Sequence, residues 1–187
     1  MQTSELINLG SNILKRKSIE SHRLDSEIIL SHILNTSREK LLIGENQVSK
    51  EDVIKFKSLI SRRLYNEPVA YIINKKEFRS ESFFVDKNSL IPRPETELLI
   101  DPIKKLFKKK SLFFLDIGVG TGCIMSSILK ELNHSRGIGI DICKNTIFNA
   151  KINLKKFKIG NRAKLLCRPF EGVFNQKFDL IVSNPPY

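Results

Sequence analysis

The sequence of 187 residues is poor in cysteine and histidine, with three of each. The cysteines, Cys123, Cys143 and Cys167, are odd in number, far apart and unaccompanied by a histidine cluster. This pattern argues against a disulfide framework and against a zinc site, and we expect no bound metal. We expect the three side chains to be small buried hydrophobic groups of a cytoplasmic protein, where thiols stay reduced.

Long apolar runs are also lacking. No window approaches the roughly 18 apolar residues that a membrane-spanning helix needs, and residues 1–17 contain no continuous apolar stretch of the signal-peptide type. The apolar share of 41% and the charged share of 28% are typical of a soluble globular protein. We therefore expect no membrane association. We also expect the protein to be a monomer.

Acidic residues are outnumbered, at 20 against 32 lysines and arginines, which gives a net charge of +12. Such a charge favours polyanionic neighbours such as RNA. The alternative is a solvated, lysine-rich surface. The lysine runs are not interleaved with the aromatic residues on which bases stack, so we favour the second interpretation and expect nucleic acid not to be the substrate.

The pattern of apolar residues changes twice along the chain. Helical apolar spacing over 4–16, 24–34, 36–44 and 49–64 predicts a small all-α domain in residues 1–68. Short β-branched and aromatic runs then predict a hairpin linker over 69–93, with its turn near 74–82. Residues 94–187 alternate four apolar strands with helices, which predicts an α/β fold with a parallel, doubly wound, Rossmann-like sheet.

The run LDIGVGTGC places Asp116 at the end of a strand, followed by glycines at 118, 120 and 122. Glycines there permit a sharp turn and let the backbone approach a ligand, while the next helix offers free N–H groups. The dinucleotide pattern G-x-G-x-x-G fails, because its third glycine would fall on Cys123. D-x-G-x-G-x-G is the pattern of S-adenosylmethionine sites; a purely structural turn is the alternative.

Asp141 ends the second strand, 19 positions after Gly122. An acid at this point can accept hydrogen bonds from both hydroxyls of a ribose. The alternative is that it caps the following helix. Together, the glycine turn and Asp141 favour a nucleoside-containing ligand.

The tetrapeptide NPPY follows the last strand and indicates methyl transfer to a conjugated nitrogen. Such a nitrogen must develop positive charge, and the side-chain carbonyl of Asn184 and the backbone carbonyl of Pro185 can accept its two N–H groups. Pro185 and Pro186 would hold these acceptors in place, so that the stabilisation is preorganised. Tyr187 can pack on the planar substrate group, and no general base is required.

The ordered motifs RRLYNEPVAYI, EFRSESFFV, LIPRPETELLID, FLDIGVGTGCI, GIDI and FDLIVSNPPY closely resemble the release-factor glutamine N5-methyltransferases, the PrmC (HemK) family. The resemblance implies a class I methyltransferase domain that binds S-adenosylmethionine and methylates the glutamine of the Gly-Gly-Gln motif in class I peptide-chain release factors. It also implies roles for individual residues. The cofactor would lie against Gly118, Val119, Gly120, Thr121, Gly122, Asp141 and Asn184. Asn184 and Pro185 would be catalytic, and these two with Pro186 and Tyr187 would bind the substrate.

The sequence departs from the family in two ways. The run CRPFEG places Arg168 or Pro169 where an acid usually contacts the adenine, and leaves Phe170 as the candidate ring. The family also continues for roughly a hundred further residues, so we expect a truncated or split-gene product that is inactive and poorly stable alone. Two alternatives remain: an adenine N6-methyltransferase of nucleic acids, for which NPPY also serves, and a non-enzymatic remnant.

Overall fold

The computed structural model describes residues 1–108, 110–171 and 176–185. The chain forms two compact units, Met1–Ile73 and Asn74–Tyr187. The boundary lies beyond the expected one at residue 68, because the helix Val69–Ile72 places Ile72 in the core of the first unit.

The first unit is helical. Its helices are α1 (Thr3–Lys15), α2 (His22–Ile33), α3 (Arg38–Ile43), α4 (Lys50–Leu64) and α5 (Val69–Ile72). The hydroxyl of Ser49 accepts a hydrogen bond from the backbone N–H of Asp52 and thereby caps α4. The apolar stripes meet in one core, in which Leu6, Leu30 and Phe56 are almost fully buried.

The second unit begins with a hairpin of β1 (Lys76–Phe78) and β2 (Glu81–Phe83), which pair antiparallel. Its turn residues, Arg79 and Ser80, both have positive φ, as the two-residue turns that match strand twist require. Phe78 and Phe83 are each 1% exposed and pack in the core of the second unit. The hairpin is therefore part of that unit and not the separate linker that we expected over 69–93.

The rest of the second unit alternates helices and strands. A 3-10 helix (Pro94–Leu99) precedes α6 (Ile100–Phe107), β3 (Leu112–Ile117), α7 (Cys123–Glu131), β4 (Ser135–Asp141), α8 (Lys144–Lys156), β5 (Ala163–Cys167) and β6 (Leu180–Ser183). The strands pair in the order β5-β4-β3-β6, and every pair is parallel. The expected α/β class with a doubly wound parallel sheet is confirmed.

This strand order determines where a ligand can bind. The chain adds β4 and β5 on one side of β3 and then returns, so that β6 pairs with the other side. Ligands of such sheets bind beyond the carboxyl ends of the strands at the point where the order reverses. The strands next to this point end at Ile117, Asp141 and Ser183. The predicted site residues lie at these ends or directly after them.

A buried asparagine of α8 fixes the loop that follows β3. Asn153 is fully buried, and its Nδ2 donates to the backbone oxygens of Thr121 at 2.9 Å and Phe84 at 3.0 Å. Its Oδ1 accepts from the backbone N–H of Phe84 at 2.7 Å. One side chain thus replaces the backbone partners that two irregular segments lack.

Candidate functional site

The turn after β3 is made of left-handed glycines. Gly118, Gly120 and Gly122 have φ values of 71°, 55° and 77°, a conformation that costs other residues about 1–2 kcal/mol. A Cβ at Gly118 would meet no atom within 4 Å, and one at Gly120 only the Gly118 oxygen at 3.8 Å. The space that these side chains would fill is open, so the backbone there is accessible to a ligand.

The carboxyl group of Asp116 lies buried beneath this turn. The residue is 1% exposed, and neither of its oxygens has a hydrogen-bond partner within the described ranges. The pKa of Asp116 is raised to about 7, mainly by burial and to a smaller extent by the nearby charge of Asp141. The backbone amide of Met125 opposes this shift in part, although it does not reach hydrogen-bonding geometry. The sequence identified Asp116 as a strand end but gave no sign of this environment.

The Asp141 carboxylate spans the ends of two elements. Its Oδ2 accepts from the backbone N–H of Gly120 at 3.3 Å, and its Oδ1 accepts from the N–H of Cys143 at 3.0 Å, at the start of α8. Each carboxylate oxygen has a second lone pair. The capping role is therefore observed, and it leaves acceptor capacity for a ribose.

Asn184 follows β6 and faces the same open space. The hydroxyl of Ser183 donates to the backbone oxygen of Ile117 at 2.9 Å, which ties the end of β6 to the end of β3. The Asn184 Nδ2 donates to Thr96 Oγ1 at 3.3 Å. Among the described residues, its Oδ1 has no hydrogen-bond partner, so this carbonyl is available to a substrate.

These parts line one cavity of about 500 Å³, a size typical of small-molecule sites. Of the predicted site residues, the structure brings five to this cavity: Gly118, Gly120, Asp141, Asn184 and Pro185. Val119, Thr121 and Gly122 lie in the turn without lining the cavity, and Val119 and Thr121 are buried. Pro186 and Tyr187 lie outside the described residues.

Some residues of the cavity wall were not predicted from the sequence. Asn88, Ser89 and Leu90 reach it from the segment after the hairpin, and Ile142 and Thr146 reach it from the start of α8. The sequence contains no recognisable motif at 88–89, and the motif that begins at Leu90 gave no sign that this residue lines the cavity. Phe170, 57% exposed, lines the cavity together with Arg168 and Pro169.

The cysteines differ from the prediction. Cys123 is buried, and burial raises the pKa of its thiol to about 12, so it is inert. Cys143 is partly exposed, and Cys167 is exposed. The prediction of three buried thiols was wrong for these two, because Cys143 follows the carboxyl end of β4 and Cys167 is the last residue of β5.

No helix in the described residues is both long and apolar enough to cross a membrane. No group of three or more His, Cys, Asp or Glu side chains there could hold a metal ion.

The parallel sheet, the left-handed glycine turn and the strand-end acid together define the fold of the class I S-adenosylmethionine-dependent methyltransferases. The family model for the methyltransferase small domain matches residues 94–187, and that for the PrmC N-terminal domain matches residues 5–73. The chain belongs to the methyltransferase small domain family, with a PrmC-type N-terminal domain, and the resemblance noted in the sequence is confirmed.

Several curated proteins are similar over most of the chain. A release factor glutamine methyltransferase of Buchnera aphidicola is 39% identical over 96% of this chain and 65% of its own length. One from Rhodopirellula baltica is 38% identical over 97% of this chain and 64% of that protein. A bifunctional methyltransferase of Rickettsia typhi is 39% identical over 98% of this chain and 39% of its own length. The chain thus spans less than two thirds of the length of these relatives.

Proposed function

We propose that the chain binds S-adenosylmethionine and methylates the side-chain amide nitrogen of a glutamine, that of the Gly-Gly-Gln motif in class I peptide-chain release factors. One observation carries the proposal: Asn184 lines the same cavity as Gly118, Gly120 and Asp141. An acceptor for a substrate nitrogen thereby lies beside the features that suit a nucleoside cofactor. The activity for which the Buchnera and Rhodopirellula relatives are named supports the choice of glutamine and release factor.

The residues present suit this cofactor. The open space over Gly118 and Gly120 would accept the methionine part, and the spare lone pairs of Asp141 would accept the ribose hydroxyls. Two exposed apolar side chains at the cavity, Ile142 (79% exposed) and Phe170 (57% exposed), would cover an adenine ring. They offer burial in place of the acid that the family usually has after the third strand.

When bound, the cofactor supplies an electrophilic methyl group on its sulfonium sulfur. The residues of the chain have to position the acceptor nitrogen and stabilise the charge that it develops. The Asn184 Oδ1, which has no partner among the described residues, would accept one N–H of the glutamine amide. The backbone oxygen of Pro185 would accept the other. When the glutamine nitrogen takes the methyl group, these acceptors would favour its tetrahedral form, and its extra proton would leave to solvent.

A direct assay tests the proposal. The chain is incubated with S-adenosylmethionine and an intact class I release factor, and mass spectrometry locates the added methyl group. We expect methylation of the Gly-Gly-Gln glutamine, and none with the Asn184→Ala variant or with a release factor whose glutamine is replaced by glutamate. Methylation of DNA or RNA adenines, with none on the release factor, would instead establish the nucleic-acid alternative. Absence of transfer to either would contradict the proposal and would agree with the earlier expectation that the chain is inactive alone.

A further inference from the structure

The contact between Asn184 and Thr96 joins two segments that are 88 residues apart, and it bears on how the acceptor carbonyl is placed. We propose that Thr96 is a positioning residue: its hydroxyl holds the Asn184 side-chain amide at the place from which it can bind the substrate. The inference rests on the proposed function, because it holds that the position of the Asn184 amide serves the binding of glutamine.

An asparagine amide can rotate by half a turn about its last bond, and the two orientations differ chemically. With Oδ1 toward the cavity, the group accepts an N–H of the substrate amide; with Nδ2 there, it presents a second donor to a donor. The Thr96 hydroxyl can accept from Nδ2 or donate to Oδ1, so it fixes the place of the amide group, and the N–H of the substrate selects Oδ1 as its acceptor.

Thr96 is suited to this task by its rigid support. It is 8% exposed and lies in the 3-10 helix Pro94–Leu99, where its backbone N–H donates to the oxygen of Arg93 at 3.1 Å. Pro94 has a fixed φ at the first position of this helix. The helix continues directly into α6, whose Ile100 is 1% exposed in the core.

The other side of the contact is held equally well. Asn184 follows Ser183, whose hydroxyl is bonded to the backbone of Ile117 at the end of the neighbouring strand. The Asn184 main chain is thus fixed by the sheet, and its side-chain nitrogen is fixed by Thr96. Preorganisation of this kind matters because an acceptor displaced by a fraction of an ångström loses much of its effect.

The test compares Thr96→Val, which keeps the shape and removes the hydroxyl, with Thr96→Ser, which keeps the hydroxyl. Thr36→Val, in the first unit, is the matched control. We expect Thr96→Val to lower kcat for release-factor methylation about ten-fold, which corresponds to about 1.4 kcal/mol. Thr96→Ser should recover most of it. The melting temperature should be unchanged, and the Kd for S-adenosylmethionine should stay within about two-fold of that of the unsubstituted chain. Both follow because the hydroxyl contacts Asn184, which binds the substrate.

A second measurement does not depend on activity. In the ¹⁵N-labelled chain without cofactor, the side-chain amide signals of Asn184 should shift in Thr96→Val and keep their position in Thr96→Ser. Unmoved signals, or full kcat in Thr96→Val, would overturn the inference. A lower kcat accompanied by a lower melting temperature or by weaker cofactor binding would also overturn the inference, because it would show that Thr96 has a merely structural role. If the unsubstituted chain transfers no methyl group, the proposed function fails. The Asn184 signals would still show whether the hydrogen bond between Asn184 and Thr96 exists.

Discussion

Replacing Asp116 by asparagine should stabilise the protein, and the gain should grow with pH. The pKa of Asp116 is raised from 3.8 to about 7 by burial first, and then by the charge of Asp141. Below about pH 4 the carboxyl group is protonated in both the folded and unfolded chain, so its titration does not make stability depend on pH. Between that pH and about 7 only the unfolded chain ionises, and the free energy of unfolding falls by about 1.4 kcal/mol per pH unit.

Over the whole range the loss amounts to at most about 4 kcal/mol, a large part of the stability of a small domain. The substituted asparagine would be neutral throughout and close in shape to the carboxyl side chain. The stability difference between Asp116→Asn and the original chain therefore isolates this one titration. Between about pH 5 and about pH 7 that difference should increase by about 3 kcal/mol, and above about pH 7 it should level off.

Urea unfolding at a series of pH values measures this difference directly. Asp86→Asn provides the contrast. Burial alone would raise the pKa of Asp86, but hydrogen bonds from the Asn88 backbone and from the Asn149 and Asn88 side chains outweigh it and lower the pKa. The stability that Asp86 contributes is lost only as the pH falls below about 4, so its variant should show a constant difference over the tested range. A constant difference for Asp116→Asn as well would refute the reasoning.

The other predictions concern the glycine turn, the strand-end acid and the buried asparagine. Gly120→Val should abolish S-adenosylmethionine binding in calorimetry and reduce stability by about 1–2 kcal/mol, since its φ is 55°; Gly160→Val, at an open position without positive φ, should do neither. Asp141→Ala should weaken cofactor binding and also lower the melting temperature, because the N–H groups of Gly120 and of Cys143 at the start of α8 lose their acceptor. Asp141→Asn should weaken binding with a smaller loss of melting temperature. Unchanged binding in both variants would show that Asp141 is not part of the site. Asn153→Leu should reduce the free energy of unfolding by roughly 3–5 kcal/mol in urea titration, since it leaves three backbone groups unpaired; Lys151→Leu on the exposed face of α8 is the control, and an equal loss there would contradict this explanation.

Much of this architecture could be predicted from the sequence, because its signals are local. Apolar runs alternating with helical spacing predict a parallel sheet, and a strand followed by glycines at alternate positions predicts a turn of positive φ. Leu98 shows where the local signal fails. Its place in an apolar run of three residues favours a buried helix face, yet it is 74% exposed, because the segment from Pro94 begins as a 3-10 helix with a different side-chain period.

The partners of the polar side chains could not be predicted, because they depend on how distant segments meet. The sequence identified Asn184 but not Thr96, and it gave no sign that Asn153 supports the glycine turn through the Thr121 oxygen. The domain boundary could not be predicted accurately for the same reason. Proline and a change in composition marked residue 68, whereas the placement of the next helix was decided by the burial of Ile72.

Several unfavourable features of the second unit lie together under and in the turn after β3. Three glycines have left-handed φ values there, and four buried polar atoms have no partner within the described ranges: both oxygens of Asp116 and the hydroxyls of Thr121 and Ser126. Local violations of this kind are typical of functional sites, which the surrounding structure must hold in place. Asn153 and the buried face of α7 provide that support from below. A ligand that binds over the turn binds only the folded chain, so by mass action it should offset part of this cost.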